Sequence, residues 1–140
     1  MEFVHFIVAQ APVYQQVVVE LAAGQKTSHW MWFIFPQLRG LGSSQMSEKF
    51  ALDSLPAATR YLRHQLLGAR LRECTQLVLH ANNRTAEEIF GSIDCLKFRS
   101  SMTLFSLTSP PEGLFDAALD RFFAGKKDPR TLELLRLKGM

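Results

Sequence analysis

Between Leu66 and Ala81 the residues Leu67, Leu71, Cys74, Val78 and Ala81 fall at i, i+4, i+7, i+11 and i+14. An α-helix, at 3.6 residues per turn, gathers such positions on one side. Arg70, Arg72, Glu73 and Gln76 lie off that stripe, so the helix has one apolar face to bury. The chain must therefore provide other elements to cover it, and the pattern elsewhere is again helical.

TAEEIFG follows, in which Thr85 and Glu88 have the T-x-x-E spacing of a capping box and Gly91 is a natural stop. From Ile93 to Leu107, the residues Ile93, Leu96, Ser100, Leu104 and Leu107 share one face and Phe98, Met102 and Phe105 another, as in a central helix. In PPEGLFDAALDRFFAGKKDP, Pro111 can open a helix, Leu114, Phe115, Ala118, Leu119 and Phe122 line it, and Gly125 ends it. Asp128-Pro129 starts a last short helix with Leu132, Leu135 and the stem of Arg136 turned inward. Near the front, Pro12 suits the first turn of a helix running to Ala23 and stopping at Gly24. The triple valine Val17 to Val19 favours a strand there, but its flanks favour helix. The expectation is an all-α fold, a compact single-domain bundle of about seven helices over residues 1–140.

Composition removes several function classes. At 140 residues, 47% apolar and 21% charged, the chain can form one core without metal or disulfide staples. A net charge of +3 is mild, and its densest basic cluster, AGKKDPR from Ala124, is a weak footprint for nucleic acid. Cys74 and Cys95 stand apart with no C-x-x-C or Cys/His ligand spacing, so no metal site is expected. Two isolated thiols fit a reducing compartment. The opening MEFVHFIVAQAP lacks a basic stretch before its apolar residues, and no apolar run reaches the ~18 residues of a membrane helix. A cytoplasmic protein with no membrane partner is expected.

The unusual stretch is KTSHWMWFIFPQLRGLGSS, from Lys26 to Ser44. Ser28 or Thr27 could cap a helix through HWMWFIF that Pro36 ends at Phe35. Such a helix is apolar nearly all round and belongs in the core. Yet Lys26, His29, Gln37, Arg39, Ser43, Ser44 and Ser47 crowd its ends, and tryptophan favours sites where its N–H meets a partner. Gly40 and Gly42 free the backbone, so that N–H groups and serine hydroxyls could hold an anion at the start of the next helix, from Ser44 or Ser47. GLGSSQ has Gln45 where G-x-G-x-x-G needs its third glycine, and no P-loop is present, so no cofactor is named.

GQKTSHWMWFIFPQLRGLGSS, LLGARLREC and IFGSIDCLKFRSSMTLF together resemble a family of small bacterial proteins known as domain of unknown function 1810. The resemblance runs from FIVAQ at Phe6 to TLELL at Thr131, and its HWMWFIFPQ-x-x-GLG block is highly specific. It implies a compact all-α fold and no established activity. Two positions depart from the family pattern: His64-Gln65 replaces its usual His-Pro, and Phe50 a common Tyr.

Histidine is the side chain whose ordinary proton exchange falls near neutral pH, so His29 is the candidate catalytic acid or base; its bland alternative is an exposed first-turn residue or a satisfied half-buried one. Lys97, within a helix otherwise destined for the core, must reach solvent, pair with Asp94 three residues earlier, or meet an anionic ligand. Ser100, Ser101 and Thr103 either bond back to the preceding turn or face a ligand. Cys74 is expected in the core, while Arg70, Arg72, His64 and His80 are expected to be solvated, with Arg70 the one of them most apt to turn inward.

Two functions remain open. One is a protein binding, and acting on, a small anionic or nucleotide-like ligand. Lys26, Gln37, Gly40, Gly42, Ser43, Lys97 and Ser101 would hold it, Trp30 or Trp32 would stack a ring, and His29 would move a proton. The other is a non-catalytic interaction module that exposes the aromatic helix.

Overall fold

The computed structural model describes residues 2–139, with Met1 and Met140 outside it. Nine helices are formed among them: α1 (Val4–Gln10), α2 (Tyr14–Ala22), α3 (Met31–Ile34), α4 (Gln45–Lys49), α5 (Leu55–Arg63), α6 (Gln65–Leu79), α7 (Ala86–Ser106), α8 (Leu114–Phe123) and α9 (Pro129–Leu137). The all-α expectation is met, with more helices than the seven expected. The sequence pattern marks neither α1 nor α5. In α1 only Phe6 and Gln10 are buried, and its run of valines and isoleucine has no amphipathic period to read.

The predicted stripe of α6 is buried at Leu67, Leu71, Cys74 and Val78, and it packs against α2, α5 and α8. Between α5 and α6 the chain turns on one residue, His64, whose Nδ1 accepts the Leu66 and Leu67 N–H groups at 3.2 Å each. An imidazole thus caps the helix where the family pattern would place a proline after it. Helix α7 lies along α8 and also meets α5 and α9. Its ring contacts tie the layers together: Phe98 stands 4.7 Å from Phe90, 5.0 Å from Phe35 and 6.1 Å from Phe122. A second aromatic group joins Tyr61 to Phe6 at 5.0 Å and to Phe105 at 5.8 Å.

The Thr85–Glu88 capping box forms at the start of α7. Gly91 does interrupt the helix, at φ 87° and ψ 169°, but the chain resumes helical geometry at once. The predicted face of the second half divides. Phe98, Met102, Leu104 and Phe105 are in the core, whereas Ile93 and Leu96 are 69% and 60% exposed. Among the described residues no helix covers them, so these two side chains remain on the surface.

The aromatic block is shorter as a helix than expected. Helix α3 is one turn, Trp30 stands at its N-cap, and neither Thr27 nor Ser28 caps it. Both turn to Glu20 on α2 instead. The Glu20 carboxylate is 3% exposed and accepts the Thr27 N–H at 2.7 Å, the Ser28 N–H at 3.0 Å and the Trp30 indole N–H at 3.0 Å. The Ser28 hydroxyl and the Gln16 amide donate to it as well. Burial pushes this carboxyl upward, but the donors outweigh it and hold it at about 2.

A carboxyl lowered in the folded state from its ordinary 4.5 stabilises the fold fully above that value and less as pH falls toward 2. The displacement amounts to on the order of 3 kcal/mol. Glu20→Gln should therefore lose about 2–3 kcal/mol at pH 7, and the gap from wild type should close between about pH 4.5 and pH 2. Urea titrations at several pH values measure it; a gap independent of pH would contradict the assignment. Gly91→Ala tests the break in α7. A Cβ there meets nothing within 4 Å, so its expected cost of about 1–3 kcal/mol comes from the backbone alone. An unchanged melting temperature would refute it.

Candidate functional site

After Gly24 (φ 73°) ends α2, the chain crosses the break in α7. The Lys26 N–H donates to the Ile89 carbonyl at 2.7 Å, and the Arg84 guanidinium donates to the Gly24 carbonyl at 2.9 Å. This docking carries the Lys26 ammonium to Asp94 at 2.7 Å, and the Lys26 side chain is only 7% exposed. The same ammonium lies 5.1 Å from the centre of the Trp30 ring. Asp94 sits in the first turn after Gly91, where a carboxylate is favoured by the helix dipole.

Asp94 has a second cation. Lys97, one turn on, brings its ammonium to 3.3 Å from the other carboxylate oxygen and 4.8 Å from the centre of the Trp32 ring. Trp32 and Lys97 form walls of two adjoining hollows, with Ile93 between them. The larger, about 560 Å³, has an apolar floor that includes Leu38, Leu41 and Phe50, with polar groups from Gln37, Ser43 and Asp128. The smaller, about 380 Å³, contains Lys26, His29 and Asp94. Both volumes lie in the range of small-molecule sites.

The far side of the larger hollow is fixed by hydrogen bonds. Ser44 caps α4 by accepting the Ser47 N–H at 3.1 Å, and the Ser47 hydroxyl donates to the Ser44 carbonyl at 3.0 Å. Gly42 is required by this turn, since a Cβ on it would lie 2.7 Å from the Ser47 hydroxyl oxygen. Residues 37–39 are held by a parallel bridge between Leu38 and Leu52. Asp128 caps α9 through the Thr131 N–H at 2.9 Å and accepts the Ser100 hydroxyl at 3.2 Å, which joins α9 to α7.

Of the residues singled out in the sequence, Gln37, Gly42, Ser43 and Lys97 line the larger hollow, while Lys26, His29 and Lys97 line the smaller. Three others lie elsewhere. Trp30 is 1% exposed with its N–H on Glu20, so Trp32 provides the accessible ring. Gly40 makes a turn at φ 109° beside Leu134 of α9. Ser101 is fully buried, and its hydroxyl has no partner among the described residues. The expected anion nest is also weaker than predicted. Helix α4 is a single turn with little dipole to offer, and two of the three nearby serines are engaged in its cap.

Asp94 and Asp128, together with Arg130 in the lining of the larger hollow, are not marked by the sequence as site residues. As sequence, Asp94 reads only as a partner for Lys97; its second partner, Lys26, comes from a distant segment. Asp128 reads as a helix cap, which it is, and nothing local tells that the cap borders a cavity. Arg70 does turn inward, with its guanidinium 4.4 Å from the Tyr14 ring. Cys74 is buried beside it, and burial pushes its thiol up to about 12. Among the described residues, no group of three His, Cys, Asp or Glu side chains is gathered as a metal site, and no helix is long and apolar enough to cross a membrane.

The chain is similar to the conserved hypothetical protein Rv1873 from Mycobacterium tuberculosis, whose crystal structure superposes with a TM-score of 0.92. The two are 52% identical over 94% of each chain. No curated protein matches the sequence. The model of a family described as protein of unknown function (DUF1810) matches residues 1–135, nearly the whole length. The chain therefore belongs to the DUF1810 family.

Proposed function

We propose that this protein binds a small molecule carrying an anionic group and a planar ring, in the paired hollows between α3, α4 and α7. One observation carries the reading: Lys97 and Trp32 border both hollows at once, with the ammonium resting on the indole face at 4.8 Å. A cation beside a half-buried aromatic ring is a pair of groups suited to a charge attached to a ring. Ser43 and Gln37 would orient the ring-bearing end, and Lys97 would hold the anion. His29, exposed at the smaller hollow, is the group placed to move a proton if the ligand is transformed. Two free cysteines, one of them deeply buried, suit a reducing cytoplasm.

A second reading, a non-catalytic interaction module, draws on Ile93 and Leu96, whose exposed side chains sit at the edge of the larger hollow. The aromatic block itself is a poor docking surface, because Met31, Phe33, Ile34 and Phe35 are buried.

A thermal-shift screen against nucleoside monophosphates, sugar phosphates and aryl carboxylates separates the two. At a hundredfold excess over Kd a true ligand adds about 2.7 kcal/mol, or a rise on the order of 10 °C. The shift should fall sharply in Lys97→Met and Ser43→Ala and survive in Val19→Ser, an exposed position of α2 that lines neither hollow. No shift with any compound, or equal shifts in all variants, would end the small-molecule reading.

A further inference from the structure

Asp94 is shared by two lysines that differ in every respect that matters for binding. Lys26 approaches it to 2.7 Å with a 7% exposed side chain, and its own backbone N–H is tied to Ile89. Lys97 approaches to 3.3 Å with a 27% exposed side chain, and it alone of the two borders both hollows. A carboxylate between two ammonium ions leaves one positive charge uncompensated. That charge belongs to the cation more weakly held and more open to solvent.

We propose that the triad divides its labour: Lys97 is the group that binds the ligand's anion, and Lys26 is a positioning residue that keeps Asp94 from closing on Lys97. The proposal rests on the small-molecule reading above and assigns its substrate class, a ring-bearing phosphate or carboxylate lying across both hollows. Its ring rests on Trp32, and its anion replaces Asp94 as the partner of Lys97. Lys26 makes that exchange cheap, because Asp94 retains a cation after Lys97 turns away and no half-buried carboxylate is left unpaired. Without Lys26, Asp94 would have Lys97 as its sole counter-ion and would compete with the ligand for it.

The signs of three variants test this by calorimetric titration with phenyl phosphate, and with inorganic phosphate as the ringless control. Wild type should bind phenyl phosphate roughly tenfold more tightly than inorganic phosphate, the ring adding a stacking contact. Lys97→Met should weaken phenyl phosphate tenfold or more, roughly the loss expected for a charge-assisted contact. Asp94→Asn should tighten it, since Lys97 loses its competitor. Lys26→Met should weaken it, and the double variant Lys26→Met/Asp94→Asn should recover the affinity of Asp94→Asn alone. A double variant as weak as Lys97→Met would make Lys26 a direct ligand contact and overturn the division. Weaker binding in Asp94→Asn would overturn it too, and that sign decides the matter if Lys26→Met does not fold. Absence of any wild-type binding to either probe would remove the small-molecule reading itself and this inference with it.

Discussion

A carboxylate withdrawn from water is tolerated only when its lone pairs are taken by donors, because an unpaired buried charge costs several kcal/mol. Glu20 meets that condition with donors from Gln16, Thr27, Ser28 and Trp30, three of them from a segment that has no regular structure of its own. The relation works in both directions. The loop satisfies the carboxylate, and the carboxylate gives the loop a shape that its own backbone hydrogen bonds do not supply. Trp30 is thereby drawn inward as the N-cap of α3, while Trp32, two residues on, lines both hollows.

From this anchor the geometry runs outward in steps. The fixed loop places Lys26 against Ile89, Lys26 meets Asp94, and Asp94 holds Lys97 over Trp32. The break at Gly91 makes the middle step possible. A continuous helix would carry residues 92–94 onward along the axis of the first half, whereas the break begins a new first turn beside the loop. The charged wall is thus rigid on its Lys26 side and looser on its Lys97 side.

What could be read in the sequence were features decided locally. The stripe of α6, the Thr85–Glu88 capping box and the placing of a cap at Ser44 depend on residues a few positions apart. The clustering of polar residues around HWMWFIF also located the neighbourhood of the hollows. What could not be read depends on tertiary partners. Glu20 lies in an amphipathic helix, where a carboxylate ordinarily marks the solvent side. Trp30 and Trp32 are equivalent as sequence, and only the contact with Glu20 sends one into the core. Ile93 and Leu96 carry the same apolar spacing as buried residues, yet both remain exposed.

That uncovered edge bears on why the hollows exist. Residues at the starts of α4 and α9 line the larger hollow beside α7, and Asp128 at the start of α9 accepts the Ser100 hydroxyl of α7. The α9 start therefore cannot slide inward over Ile93 and Leu96 without losing a hydrogen bond to α7 worth about 1 kcal/mol. Filling the gap with protein would also bury the second cation of Asp94 without a second anion, which is costlier still. Apolar burial therefore favours closing the cleft while polar satisfaction favours leaving it open. The fold keeps it open, and both the ring face of Trp32 and the ammonium of Lys97 stay within reach of solvent.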